Sequence, residues 1–403
     1  MMHKTLEDRI HHICEGVSSW LENEDGILDA SCERTVSGGL FPKHDVIHML
    51  EQVGCTITPR ALWSWFERVS TNEKGATVMD NSTYKATKSD QSTNATAFAN
   101  PATKVLCLHA GNLPMVGLQD IIATLLSGAA YHGKLSGNDP WLLDGLLRVL
   151  KKHLPDQVKD WAIRLEELDA VRADAVLFAG SQASVNKVAK RIDELRLADE
   201  DSRFLTRTAR FSIARLQKED FRSDRERLSY KLIESMLRYE GRGCRSVALV
   251  VADRELSDFA GYLMEAADLF TRSNPPSQLK NPGVTYWKSY LKSTGREVYD
   301  LGGHIITDDR DLAGKENVIC WIKGSDVEVT GFAEKFGSQL QSVYVNADRA
   351  AMSQKVTSRL MASKKVRLEP LSEAQSPPVD WRPDGVDVLS WLCGCGSSVD
   401  MPD

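Results

Sequence analysis

The chain has 403 residues, of which 42% are hydrophobic and 26% charged, and its formal net charge is -6. That is material for two domains, with a third small one at most. The acidic balance gives no support to a nucleic-acid partner, and no run nears the roughly 18 apolar residues that span a bilayer.

The first residues, Met1-Met2-His3-Lys4-Thr5-Leu6-Glu7-Asp8, hold no apolar signal core, so no secretion leader is read. Eight cysteines, at 14, 32, 55, 107, 244, 320, 393 and 395, follow neither a disulfide framework nor a zinc-finger spacing. Reduced thiols and a cytoplasmic location are the expectation.

Up to about residue 70 the apolar spacing predicts helices, for instance over His12–Leu21 and Asp45–Leu50. Residues 71–100 are rich in Ser, Thr and Asn and read as a loop. From Lys104 the pattern changes. Val105–Leu108 is a short apolar run that ends at Gly111-Asn112, and helical periodicity follows from Leu113 to Leu126. Ala129–Leu135 reads as a strand and Pro140–Leu154 as a helix. Ala173–Ala179 is a strand ending at Gly180-Ser181, and Ala183–Leu197 is a helix. Strand, turn and helix in repetition predict a mostly parallel sheet covered on both faces. Such sheets bind ligands at the carboxyl ends of their strands, where Gly111-Asn112, Lys134-Leu135-Ser136 and Gly180-Ser181 all fall.

Arg210–Leu216 alternates and reads as a further strand. Asp224–Tyr239 is a helix that delivers the chain to Gly241-Arg242-Gly243-Cys244-Arg245-Ser246. A second α/β region follows, with strands over Ser246–Val251, His304–Ile306, Val318–Ile322 and Val343–Val345. Cys244 sits between a Gly-rich stretch and an apolar strand, so the strand can aim the thiol and a substrate can approach closely. The flanking Arg242 and Arg245 are expected to favour the thiolate.

Four segments in this order resemble the aldehyde dehydrogenase superfamily, and most of all its acyl-CoA reductase branch, the fatty-acid reductase type of bacterial luminescence. They are His109-Ala110-Gly111-Asn112-Leu113-Pro114, Gly133-Lys134-Leu135-Ser136-Gly137-Asn138-Asp139-Pro140, Phe178-Ala179-Gly180-Ser181 and Gly241-Arg242-Gly243-Cys244-Arg245-Ser246. Asn112 stands 22 positions before Lys134 and 132 before Cys244, intervals close to those of the superfamily. The tail Asp380-Trp381-Arg382-Pro383-Asp384-Gly385-Val386-Asp387 is similar to that branch as well.

The resemblance implies an α/β, aldehyde dehydrogenase-like fold. A Rossmann-type nucleotide-binding domain would span 1–238 with 365–403, and an α/β catalytic domain 239–364. It implies reduction of an acyl thioester to an aldehyde, with Cys244 as the nucleophile that carries the acyl group. Asn112 and the Cys244 amide would hold the oxyanion. Lys134 and Ser136 would hold the adenosine ribose of a nicotinamide cofactor, and Gly180 and Ser181 its pyrophosphate at a helix N-terminus. Where enzymes that prefer NAD often carry an acidic residue, this chain has Gly137, which points to NADPH, with NADH as the other option. The family's water-activating glutamate has no counterpart in Thr208–Ala214, which suits a reductase. The acyl group would arrive on CoA or on an acyl carrier protein, to a homo-oligomer or a multi-enzyme complex.

Other readings keep the same residues: aldehyde oxidation, cysteine-dependent acyl transfer without hydride transfer, or a non-catalytic relative. His109 reads as structural, with proximity alone making it a proton-donor candidate. His11, His12, His44 and His48 read as surface or core histidines, since no glutamate lies between the i, i+4 pair His44 and His48. Cys393 and Cys395 are too few for a closed zinc site.

Overall fold

The computed structural model describes residues 5–72, 101–169, 171–222, 224–277, 282–352, 360, 363 and 367–394. The stretch read as a loop at 71–100 lies outside these from residue 73 on, as does Cys395. Four helices open the chain: α1 (Leu6–Glu22), α2 (Ile27–Ser37), α3 (Lys43–Thr56) and α4 (Pro59–Asn72). Thr5 and Asp8 start α1 with a reciprocal capping box.

The first sheet has five parallel strands in the order β3-β2-β1-β4-β5. They are β1 (Lys104–Leu108), β2 (Ala130–Lys134), β3 (Val158–Ala162), β4 (Ala173–Ala179) and β5 (Ala198–Arg207). Helices α5 (Leu118–Ser127), α6 (Trp141–His153) and α7 (Val185–Glu194) connect them. The central strands are apolar on both faces, as a sheet covered twice requires. Ile13, Val17 and Trp20 of α1 join Leu146 and Leu150 of α6 and Tyr131 of β2 in one core.

The two strands of this sheet invisible to sequence reading are β3 and β5, and both are edges. An edge strand needs no continuous apolar run and gains from charge, and β5 begins Ala198-Asp199-Glu200-Asp201. Helix α5 starts at Leu118 rather than Leu113, because Met115 (φ 58°) and Gly117 (φ 108°) hold left-handed backbone before it.

The second sheet has seven strands in the order β12-β11-β6-β7-β10-β9-β8. They are β6 (Phe211–Leu216), β7 (Val247–Ala252), β8 (Val298–Asp300), β9 (Ile305–Thr307), β10 (Val318–Lys323), β11 (Leu340–Val345) and β12 (Leu368–Pro370). All pair in parallel except β8 with β9. Helices α8 (Arg225–Leu237), α9 (Ala260–Ser273), α10 (Pro282–Ser293) and α11 (Asp326–Phe336) belong to this half.

The boundary expected at 238 differs from this arrangement. β6 lies inside the second sheet, and Leu228, Leu232 and Met236 of α8 share a core with Phe259 and Leu263. The chain therefore crosses between halves just after β5, near residue 208. Alternation within Arg210–Leu216 identifies a strand but not the sheet that receives it. The tail first adds β12 to the second sheet, and then α12 (Val388–Leu392) returns to the core of the first half. Among the described residues no helix is long and apolar enough to cross a membrane.

Candidate active site at the cleft between the sheets

A cleft of about 1610 Å³ lies between the two halves, where the carboxyl ends of β1 and β4 face the loop before β7. Asn112, Gly180, Ser181, Arg207, Cys244 and Asp384 all line it.

The loop that carries Cys244 is unusual in its backbone. After α8, Tyr239 (φ 55°), Glu240 (φ 53°) and Gly241 (φ 66°) are left-handed in succession. For a non-glycine residue that conformation costs about 1–2 kcal/mol, so contacts must impose it. Gly241 cannot be replaced freely, since a Cβ there would lie 2.8 Å from His304 Nε2. Glu240 accepts from Ser277 N (2.5 Å) and from Arg242 Nη2 (2.5 Å), while Arg242 Nη1 donates to Leu40 O (2.7 Å). Arg238 Nη1 donates to Asn274 Oδ1 (2.6 Å) and pairs with Asp45 Oδ1 at 3.7 Å. Asp45 also accepts from Tyr239 N (3.4 Å). Helix α3 and the connection before it thus grip the Cys244 loop from the other side of the cleft. Burial outweighs Arg238 and pushes the Asp45 carboxyl up to about 6.

Cys244 is half-buried, and burial pushes its thiol up to about 11. Arg245 and Arg207 pull it down and Asp384 pushes it up, but desolvation dominates. The expected thiolate-favouring effect of the flanking arginines is therefore overridden. Arg242 is engaged with Glu240 and Leu40, and Arg245 lies over the Trp381 ring at 5.3 Å. Among the described residues no acceptor takes the Cys244 backbone N–H, which instead faces its own sulfur. Asn112 Nδ2 donates to Arg242 O (2.8 Å), two residues before the cysteine. A carboxamide carries two N–H groups, so a second donor is left for a ligand.

On the other flank, Gly180 and Ser181 follow β4 and line the cleft ahead of α7. A Cβ at Gly180 would meet the Phe178 ring edge at 2.5 Å. Ser181 Oγ bonds Ser184 Oγ (2.6 Å). Lys134 ends β2 beside the cleft rather than in its wall. Burial lowers its ammonium pKa, and no carboxylate pairs with it among the described residues. Ser136 is buried and turned inward: its Oγ accepts from Asn138 N (3.2 Å) and crowds Gly111. Asn138, not singled out in the sequence, lines the cleft instead.

His109 lies beneath the Asn112 loop, with Nε2 bonded to Tyr131 Oη (2.8 Å) and its pKa lowered to about 4 by burial. It does not line the cleft, so its sequence proximity to Asn112 does not make it a proton donor. A Cβ at Gly117 would collide with its Nδ1. His304 does line the cleft, and burial lowers it to about 4 as well.

The tail supplies what the sequence reading lacked. Asp384 Oδ2 accepts from Thr208 N (2.8 Å) and Ala209 N (3.1 Å). A carboxylate thus reaches the corner where Thr208–Ala214 has none of its own. Trp381 Nε1 donates to Glu369 Oε2 (2.9 Å), and Gln119 Nε2 donates to Trp381 O and to Val379 O (2.7 Å). Arg207 and Asp120 form a buried bidentate pair in the cleft wall (2.8 and 2.5 Å).

One parallel and one mostly parallel sheet, with a cysteine loop opposite a glycine-serine turn across the cleft, match the aldehyde dehydrogenase fold. Solved structures agree. P. syringae indole-3-acetaldehyde dehydrogenase, in complex with NAD+ and IAA, is 12% identical over 85% of this chain and 72% of its own, with a TM-score of 0.56. Gamma-glutamyl-gamma-aminobutyraldehyde dehydrogenase from Burkholderia cenocepacia is 14% identical over 91% and 76%, with a TM-score of 0.58. Proline Utilization A from Corynebacterium freiburgense is 13% identical over 97% and 42%, with a TM-score of 0.62. No curated protein matches the chain. The acyl-CoA reductase (LuxC) family model matches residues 69–282, and the chain belongs to that family. It is an aldehyde-related enzyme of that family.

Proposed function

We propose that the protein reduces an acyl thioester, on CoA or on an acyl carrier protein, to the aldehyde through an acyl-Cys244 intermediate. The observation that carries this reading is the shared cleft. The Cys244 thiol and backbone N–H stand on one side, and the Gly180-Ser181 turn and Asn112 on the other, with the Asn112 carboxamide reaching across to Arg242 O beside the thiol.

Deprotonated Cys244 attacks the thioester carbonyl. The carbonyl oxygen becomes anionic, and the Cys244 N–H and Asn112 Nδ2 donate to it. Collapse breaks the bond to the leaving thiol, which departs as thiolate and takes up a proton, and the acyl group stays on Cys244. Burial, with a smaller push from Asp384, keeps the thiol protonated in the resting state, and Arg245 and Arg207 favour the charged form.

The cofactor side fits a nicotinamide dinucleotide. The Gly180-Ser181 turn lines the cleft and precedes a helix N-terminus, and Lys134, at the end of β2 two strands away, has no carboxylate partner among the described residues. When bound, the nicotinamide supplies the hydride that converts the acyl-cysteine into the aldehyde. Gly137 adds no negative charge and Lys134 attracts a 2′-phosphate, so NADPH is preferred over NADH. Ser136 takes no part in this reading, because its side chain is buried against Gly111 and Asn138 and does not line the cleft.

The test is oxidation of NADPH by purified protein supplied with a panel of acyl-CoAs. Cys244→Ala should abolish turnover. Asn112→Ala should lower kcat by about 10²–10³-fold, the usual loss for one oxyanion donor. Turnover that survives Cys244→Ala would sink the proposal.

A further inference from the structure

Three histidines and a glutamate meet on the outer face of the first half, and nothing in the cleft chemistry uses them. His11, His12 and Glu15 lie on α1, and His153 is the last residue of α6. Glu15 Oε2 stands 3.6 Å from His11 Nε2, 3.6 Å from His12 Nδ1 and 3.4 Å from His153 Nδ1. Charge-assisted hydrogen bonds are shorter, at about 2.7–2.9 Å. The observed spacing is instead close to the edge of a tetrahedron built on metal–ligand bonds of about 2.0–2.1 Å, which is roughly 3.3 Å.

The donor atoms of His12, Glu15 and His153 all lie within 4.8 Å of one another. His12 Nδ1 is sealed from solvent and has no hydrogen-bond partner. The three side chains are 31%, 49% and 22% exposed, so the group is walled by protein on one side and open to water on the other. Its placement is enforced by packing. At Gly16, beside Glu15, a Cβ would lie 2.9 Å from Leu150 Cδ2 and 3.4 Å from His153 Cδ2. The small residue at 16 thus lies at the close approach of α1 and α6, beside His153.

We propose that His12, Glu15 and His153 form a binding site for a divalent transition-metal ion of the zinc class, with water or His11 as the fourth ligand. Two imidazoles and one carboxylate suit zinc or cobalt rather than the hard cations, which take oxygen alone. The site is structural. α6 begins after the carboxyl end of β2 and runs back to the opposite edge of the sheet, where Val158 opens β3. None of these residues lines the cleft. A bound ion ties the first helix to the Rossmann-type half and stabilises that half by linkage, without touching the chemistry.

The experiment uses the full chain, stripped of metal. Zn²⁺ is titrated against a chromogenic chelator, and Co²⁺ is bound separately and read by absorption. The expected result is one tight ion per chain, with weak visible Co²⁺ bands and no strong near-ultraviolet thiolate band. That spectrum separates this site from the eight cysteines. His12→Ala and His153→Gln should each weaken Zn²⁺ by more than about tenfold and abolish the Zn²⁺-dependent rise in thermal midpoint. As a check that needs no variant, Zn²⁺ should protect His12 and His153 of the native chain from diethyl pyrocarbonate. Unchanged affinity in both variants, a thiolate band, or unprotected histidines would each overturn the proposal.

Discussion

The resting Cys244 thiol should be a poor nucleophile at neutral pH, and the structure sets by how much. Its pKa is pushed up to about 11 from an ordinary 9.0, chiefly by burial. At pH 8 the thiolate fraction is then about one in a thousand, against about one in ten for the ordinary thiol, roughly a hundredfold deficit. The assay is alkylation of the ligand-free protein by iodoacetamide from pH 7 to 10.5, with Cys244 followed by peptide mass and Cys244→Ala as the control for the other thiols. The rate at Cys244 should rise about tenfold per pH unit with no plateau below pH 10. Asp384→Asn keeps an oxygen for the Thr208 and Ala209 amides but removes a charge that raises the thiol pKa. It should speed alkylation several-fold at pH 8, in the range of about one pKa unit or less. A plateau below pH 9, or a slower Asp384→Asn variant, would refute the reasoning that burial and Asp384 together hold the thiol neutral.

Other consequences concern the scaffold of the site. Asp45 has its pKa raised to about 6, so its contribution to stability is full below pH 3.8 and is lost as pH rises through 6. At pH 8 the ionised carboxyl costs up to about 3 kcal/mol. Asp45→Asn should therefore match or exceed the native thermal midpoint at pH 8 and lose that advantage near pH 4; a fall at pH 8 would contradict it. Gly117→Ala places a methyl against His109 at φ 108° and should cost more than about 2 kcal/mol in urea unfolding, since strain and overpacking add. Asp120→Ala leaves Arg207 buried and unpaired, and should cost about 3–5 kcal/mol by the same measurement. The double variant Asp120→Ala/Arg207→Leu should recover much of that loss.

The parallel sheets were legible because their central strands are apolar runs ending in Gly-Asn and Gly-Ser turns. The edges β3 and β5 were not, since half-exposed strands carry charge in place of that signal. The crossing near residue 208 was hidden for a different reason: β6 alternates like any strand, and its sheet depends on pairing with β7 and β11. Asn112, Gly180, Ser181 and Cys244 could be named in advance because each closes a local pattern, and the fold brings them to one cleft. Asp384 could not, because it reaches Thr208 from 176 positions away. Asp45 likewise meets Tyr239 across 194 positions. Ser136 shows the converse, a residue in the right segment whose hydroxyl turns inward. The arginines beside Cys244 are adjacent in sequence, yet their charges are directed to Glu240 and Trp381.

The central claim is that Cys244 takes the acyl group from a thioester, and intact-mass analysis tests it most directly. The protein would be incubated with acyl-CoA, and in parallel with acyl carrier protein thioester, in the absence of any nicotinamide. The account predicts a single acyl adduct that maps to Cys244, is absent in Cys244→Ala and is discharged when NADPH is added. No adduct from either donor, or an adduct that persists in Cys244→Ala, would contradict it.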